Sequence, residues 1–555
     1  PSPAACRSSG RLRVGRPHPA ALLALEGAPI ALRLLALCMV LMVGGPRLAL
    51  AQGTLTGPGT GSSARVTHVA KRPPTGGPSW TLVLVARSGD EPPGRVGETF
   101  SFFSDPSLDD VGRVAFRGRF DGPLSGNEGI YVFDPESGVL SRVVDDSFSF
   151  HPPGQGGATS WSGYGPPVLV RNGGTPPRVL FWGTFSFGDN SQGLYLFQGA
   201  TGDVIFDDSP LQPVPGQPGA NGFSTFPFSA GVSPFVSDSL HAATTATWFD
   251  AGFVARTGLY VGDVGSGIAR IADETTTPPG QPGAASFSDF DPDLSMNAAG
   301  DVAFHAQFSG GIGSHGVYRY DRGGGTLLRV ADPRTAVPGL PGAQFASMTG
   351  QVSMNGSGRV AFRATTNAGE GIYAGDGVDP LQVLVDDSGA HPVPDHPGKT
   401  FGFFGAPVQD ALGDVVVFAD FGAPSADQGL FRHDGAGLTR LFDFGDEVPE
   451  QPGASFSSLG HVHADGEGGV AFTARYNGGA GNEGLYAYVD GDLHRVLDES
   501  DTSLGLALSN LHLTLFTGGS GGADGKTRAL NARGDVALRV TLASGDEAIV
   551  LALRD

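Results

Sequence analysis

The residues best placed for chemistry are acids that recur at one position of a repeat. Asp145, Asp207, Asp273, Asp332, Asp386, Asp443 and Asp498 each end a short apolar run ahead of a Pro/Gly loop, as in Gly216-Gln-Pro-Gly219 and Gly280-Gln-Pro-Gly283. Repetition sets these seven in a ring on one face of whatever the repeat builds. Oxygen donors at that density are what Ca²⁺ takes, which makes them the candidate metal ligands. None of the loops has the spacing of an EF-hand. The competing assignment is that each acid caps its own turn.

A second series, Asp109, Asn297, Asn355, Asp410, Asp465 and Asn531, opens D/N-x-x-G turns. Here the side chain bonds backbone N–H groups two residues on, and a structural role is favoured. His461-Val-His463 would share one face of a strand, His305 follows a Val-Ala-Phe run, and His391 and His396 flank a Pro-rich loop. None brings the third ligand that zinc needs. Gly311–Gly316 and Gly479–Gly484 spell G-x-G-x-x-G, but both fall at one repeat position between two strands, with no helix to receive a pyrophosphate. Gly518-Gly-Ser-Gly-Gly522 matches a nucleophile elbow in letters only, inside a Gly-rich insert. No catalytic residue and no organic cofactor is assigned.

The elements that must position these groups are strands. Val-Ala-Phe recurs at Val114–Phe116, Val302–Phe304, Val360–Phe362 and Val470–Phe472, with variants at Val179–Phe181, Val416–Phe418, Val536–Leu538 and around Ala243–Trp248, eight copies in all. A Gly-x-aromatic run follows, from Gly129-Ile-Tyr131 to Gly484-Leu-Tyr486, then the run ending in Asp, then an aromatic run such as Phe100–Phe103 or Phe401–Phe404. Each run is strand-length and each break a turn, which means antiparallel hairpins. The run ending in Asp occurs seven times. The eighth appears at the other end of the chain, as Leu82–Ala86. The expected fold is therefore all-β: an eight-bladed β-propeller of four-stranded antiparallel blades, closed by an N-terminal strand completing the last blade. Seven blades is the alternative, should Ser229–Val254 not form one.

Residues 1–51 read as a signal peptide: an Arg-rich flank, the apolar stretch Leu34–Val43, and Ala49-Leu-Ala51 before Gln52. Residues 52–79 read as a flexible Gly/Ser/Thr/Pro linker, and 80–555 as the propeller. The localisation expected is secreted, extracellular or periplasmic, with no membrane span once the leader is cleaved. Both cysteines, Cys6 and Cys38, leave with the leader, so packing rather than disulfides must hold the fold. The net charge of −21 excludes nucleic acid, whose phosphates demand basic stripes.

The succession D/N-x-x-G-x-V-A-F, G-x-Y, a D-G turn and L-x-x-V resembles the repeats of TolB-type secreted β-propellers. It is closer still to secreted bacterial repeat proteins of uncharacterised function. The likeness covers Trp80 to Asp555; the P-G-x-P-G loop is extra. It implies the fold and carries no catalytic residues. The function expected is a secreted, non-catalytic binding or scaffold module, monomeric, with a protein or glycan partner. The alternatives are a propeller-type glycan hydrolase or lyase with acids at the central channel, and a calcium-dependent surface adhesion protein.

Overall fold

A computed structural model describes residues 78–555, apart from 123–126, 148–149, 154–159, 172–173, 187–190, 209–211, 221, 227–233, 266, 423–426, 466, 503, 506 and 514–528, together with the backbone of Ser63–Arg65 and Val69–Lys71. The expected signal peptide and the Gly518–Gly522 motif lie outside the described residues. The described chain is all-β: eight antiparallel sheets in succession, each a blade of four strands. Blade 4 is representative, with strands Ser286–Met296, Val302–Ser309, His315–Asp321 and Thr326–Ala331 pairing in that order.

The aromatic run is the first strand of its blade, pairing with the Val-Ala-Phe strand that follows it. In blades 1, 2 and 4 to 7 this first strand is interrupted. In blade 4 the register slips between Phe290 and Leu294, so that Asp291, Pro292 and Asp293 bulge out of the ladder. First strands of successive blades touch, for example those of blades 4 and 5.

Both faces of each blade are buried, which is why Val302, Ala303 and Phe304 are all at 0% exposure where a one-sided strand would alternate. The apolar core is correspondingly divided into eight clusters, each shared by two successive blades. One of them joins Ile549 and Leu551 of the last blade to Phe100 and Phe103 of the first, so the ring is closed. Within a blade, the first-strand aromatic meets the Gly-x-aromatic ring edge to face: Phe287 and Tyr318 at 5.1 Å, Phe345 and Tyr373 at 5.0 Å, Phe456 and Tyr486 at 5.0 Å. Such pairs contribute about 0.5–1.5 kcal/mol each beyond area burial. The glycine of Gly-x-Tyr has a steric origin: a Cβ on Gly316 would lie 2.9 Å from the Ala331 carbonyl oxygen.

Closure is made by Trp80–Arg87, the fourth strand of blade 8, with Leu82 opposite Ala552 and Leu84 opposite Val550. Its register slips between Leu84 and Ala86, the same place at which the fourth strand slips in blade 1, opposite Ile130 and Tyr131. The N-terminal strand thus reproduces the local geometry of an internal one. The region Ser229–Val254 contributes Phe235–Val236 and His241–Phe249 to blade 3, so the count is eight and not seven. Within the stretch read as a linker, Ser63–Arg65 pairs with the outer strand of blade 1 and Val69–Lys71 with that of blade 8.

Candidate functional site

The seven recurring aspartates do lie at equivalent positions, buried, but most have donors on them already. Asp145 accepts from Arg95 at 2.8 Å, Arg142 at 2.6 Å and the Ser147 N–H at 3.0 Å. Asp273 accepts from Gln217 at 2.6 Å, Arg270 at 2.9 Å and the Thr275 N–H at 2.9 Å. Asp332 takes Gln281, Asp498 takes Gln451 and Arg495, Asp443 takes His396 and Arg440, and Asp386 takes His391. Asp207 occupies the same position, its backbone N–H donating to Gln212. Burial alone would raise the carboxyl pKa, but these donors outweigh it and hold Asp273, Asp386, Asp443 and Asp498 below the ordinary range. Here the Pro/Gly loop that opens each of blades 3, 4 and 7 is pinned through its Gln to the Asp that ends it. A calcium ion would have to displace these bonds. Among the described residues no three His, Cys, Asp or Glu converge to hold a metal.

The D/N-x-x-G turns cap themselves: the side chains of Asp410, Asn355 and Asp465 accept the N–H groups of Asp414, Arg359 and Gly469. In blade 2 the corresponding turn carries Arg171 instead, buried and bonded to the Leu530 carbonyl of blade 8, with Asp110 of blade 1 at 3.5 Å. The charges of Asp238 in blade 3 and Asp465 in blade 7 also act on it. A bond from blade 2 to blade 8, past blade 1, sets Arg171 on the inner side of the ring at the end bearing these turns.

Toward the other end three blades share a second device, formed by the residue after Val-Ala-Phe and the residue before Gly-x-Tyr. In blades 1, 5 and 8 these are Arg117 and Glu128, Arg363 and Glu370, and Arg539 and Glu547, ion-paired in each case. The glutamate also accepts a backbone N–H from the first strand of the next blade: Tyr164 to Glu128 at 3.2 Å, Phe404 to Glu370 at 3.0 Å, and Phe103 to Glu547 at 3.0 Å. It satisfies a donor left open by the first-strand interruption.

In blade 4 the same two positions hold His305 and His315, their rings 5.8 Å apart. Nδ1 of His305 bonds Asp291, in the bulge, at 2.6 Å, and Nδ1 of His315 meets the Ser314 hydroxyl at 3.1 Å. Both Nε2 atoms are buried without a hydrogen-bond partner. Burial, reinforced by Asp291, pushes the Asp293 carboxyl up to about 6. Burial, with the neighbouring His305, pushes the His315 imidazole down. Gly350 of blade 5 closes the far side; a Cβ there would fall 2.1 Å from Asp291 Oδ2. Blades 2, 3, 6 and 7 also lack the clasp, with Trp182 and Gln192, Thr245 and Thr257, Phe418 and Gln428, and Thr473 and Glu483 at these positions, but only blade 4 sets two imidazoles there.

The face that carries this end also presents Phe253, on the hairpin joining the second and third strands of blade 3. It is 81% exposed with φ at +58°, beside the exposed Phe249 and Val254. Asp250 fixes the turn by accepting from the Gly252 and Val254 N–H groups at 2.9 and 3.0 Å.

Of the histidines singled out by sequence, only His305 joins the cluster. His461 and His463 do not share a face: the slip between Leu459 and Val462 leaves His461 exposed and His463 buried. His391 and His396 cap Asp386 and Asp443. Arg171, Asp291, Asp293, His315 and Phe253 were not singled out; aligning the eight units on Val-Ala-Phe and Gly-x-Tyr would have exposed His315 as the residue standing where blades 1, 5, 7 and 8 have Glu.

Fold and closure define an eight-bladed β-propeller whose last blade is completed by an N-terminal strand. The chain belongs to the family described as "Family of unknown function (DUF7453)", which matches residues 52–424 and 370–552. No curated protein matches it. Among solved structures it is similar to an oligogalacturonate lyase in complex with manganese (11% identity, 89% of this chain and 98% of that one, TM-score 0.36). It is also similar to the β-propeller domain of the Trilobed protease from Pyrococcus furiosus (11%, 72% and 99%, 0.33) and to prolyl oligopeptidase B from Galerina marginata (13%, 72% and 52%, 0.36). At this level of likeness nothing about ligand or reaction passes to this chain. No helix of the described residues is long and apolar enough to cross a membrane.

Proposed function

We propose that this chain is a secreted, non-catalytic β-propeller that binds an extracellular or periplasmic ligand, a glycan or an exposed protein segment, on the face carrying the hairpins between second and third strands. One observation carries this reading. Polar groups that recur from blade to blade are largely committed to capping turns and clasping neighbours, whereas blade 4 sets His305 and His315, with Asp291 bonded to His305, at the two positions that hold the Arg–Glu clasp in blades 1, 5 and 8. Groups that break a symmetric repeat without a structural bond to replace are the ones available to a ligand. Phe253 and Phe249 add aromatic surface on the neighbouring blade, suited to a sugar face or an apolar side chain.

The test is a panel of neutral and acidic glycans and of peptides, presented to the full chain and to Asp293→Ala and Phe253→Ala variants. Binding by the parent that both variants weaken at least tenfold is the expected result. Binding unaffected by either variant overturns the assignment of the site.

A second reading, an acid–base enzyme acting on a glycan, is favoured by the His305–Asp291 bond and the raised Asp293 carboxyl. Against it, His305 Nε2 is closed off from solvent and from a polymer substrate. Release of reducing or unsaturated ends by the parent, abolished in His305→Gln, would establish it.

A further inference from the structure

We propose that His305 and His315 together hold one first-row transition-metal ion, of the Zn²⁺, Ni²⁺ or Cu²⁺ type, at the boundary between blades 4 and 5. The inference rests on the reading of blade 4 as the ligand site and gives that site its chemistry.

Each imidazole is oriented from behind. Asp291 receives Nδ1 of His305 at 2.6 Å, and the Ser314 hydroxyl meets Nδ1 of His315 at 3.1 Å. A ligating histidine is characteristically fixed in this way, one ring nitrogen held by a carboxylate or other outer partner while the second faces the ion. Here the second nitrogen of both rings is Nε2, and both are buried with nothing to bond. His305 is 6% exposed, so the cost of leaving its nitrogen unpaired is not relieved by water.

The spacing suits one ion. Metal–nitrogen bonds of about 2.0–2.1 Å put each ring centroid about 3.2 Å from the metal, so two tetrahedrally disposed imidazoles have centroids about 5 Å apart. The observed 5.8 Å is reached by opening that angle or closed by a small ring rotation. The equivalent side chains in blades 1, 5 and 8 are oppositely charged and clasp each other. In blade 4 both are imidazoles, a donor type that such ions take. Asp291, bonded to His305, supplies negative charge beside the pair, offsetting part of that of a divalent ion.

Imidazole donors select Zn²⁺, Ni²⁺ and Cu²⁺ over Ca²⁺ and Mg²⁺, which take oxygen. With no third protein ligand converging among the described residues, water carried in with the ion completes its coordination.

The experiment uses the full chain, stripped with a chelator, dialysed, and titrated calorimetrically with ZnCl₂, NiCl₂ and CaCl₂. One Zn²⁺ or Ni²⁺ per chain and no Ca²⁺ response at the same concentrations is the expected result. His305→Ala and His315→Ala should each abolish binding, and Asp291→Asn should weaken it about 10–100-fold, the usual effect of losing an outer partner. The double replacement His305→Arg with His315→Glu installs the clasp of blades 1, 5 and 8; it should fold, shown by an undiminished unfolding midpoint, and bind no Zn²⁺. A parent that binds neither ion, or a double replacement that binds as the parent does, overturns the proposal in favour of two neutral imidazoles sharing one N–H. Zn²⁺ binding without any glycan or peptide binding leaves this proposal standing and fells the ligand reading.

Discussion

Glu547, in the third strand of the last blade, accepts the backbone N–H of Phe103, in the first strand of the first blade, at 3.0 Å across the closure of the ring. The bond is the same one that Glu370 makes to Phe404 and Glu128 to Tyr164 inside the array. The seam is therefore built like any other blade boundary. Glu547→Ala leaves the Phe103 donor open and Arg539 without one of its two acids. It should lower the unfolding free energy by about 1–3 kcal/mol. Glu547→Gln keeps an acceptor and should recover most of the loss; Glu370→Ala should match Glu547→Ala. Equilibrium urea unfolding measures all three. A far larger loss for Glu547→Ala than for Glu370→Ala would mean the seam is weaker than the internal boundaries.

Asp410 gives a prediction with a definite pH sign. Burial first, then the nearby Asp414, raise its carboxyl from 3.8 to about 6. Between those values the folded chain keeps a proton that the unfolded chain has lost, so this group's contribution falls as pH rises from about 4 to about 6 and stays low above it. Asn serves the same turn in blades 4, 5 and 8, where Asn297, Asn355 and Asn531 accept the corresponding N–H groups. Asp410→Asn should therefore stabilise the protein at pH 7 by about 1–3 kcal/mol, with the difference gone by about pH 4. Urea midpoints across that range check it.

Asp498 carries the opposite sign. Although burial raises its pKa, Ser500, Arg495 and Gln451 lower it further, to a net depression. Its stabilisation is present above the unfolded carboxyl range and is lost as pH falls through the folded pKa. Asp498→Ala removes one of the acids on Arg495, which keeps Glu450 and Asp501, and frees the loop that Gln451 pins, and should cost about 1–3 kcal/mol at pH 7. Since its oxygens already hold donors, adding millimolar Ca²⁺ to metal-stripped protein should leave the thermal midpoint unmoved. A Ca²⁺-dependent rise would mean the ring of aspartates gives up its bonds to the cation.

What the sequence made legible follows from what repeats. Val302-Ala-Phe304 and Gly316-Val-Tyr318 recur because two buried faces and a tight strand crossing demand the same residues in every blade, and the displaced Leu82–Ala86 run betrayed the closure. The aspartates were visible as a series, but their partners were not. Arg95 lies 50 residues from Asp145 and Gln281 lies 51 from Asp332, separations that pair only once a loop has been laid over its own blade. The blade 4 cluster was hidden for the converse reason. Asp291 reaches His305 only because three residues bulge between Phe290 and Leu294, and a register slip leaves no mark in residue type. Arg171 likewise reads as one more surface arginine until the ring brings Leu530 to it.

Phe253 separates stability from binding most sharply. A bulky residue at φ +58° is strained, and an aromatic ring 81% exposed at a hairpin tip gains little from packing in return. Asp250 and the backbone bond from the Phe253 N–H to the Asp250 carbonyl fix the turn whatever side chain sits there. Phe253→Gly removes the strain but adds freedom to the unfolded chain, and Phe253→Asn keeps a side chain that tolerates this conformation. Both should raise the unfolding free energy, Asn by about 1 kcal/mol and Gly by less. If the ring is an anchor for the ligand proposed above, both should at the same time weaken binding at least tenfold. Thermal unfolding and the glycan and peptide panel, run on the same preparations, report the two effects together. Greater stability with undiminished binding would remove Phe253 from the site, and reduced stability would show that the ring packs against something in solution.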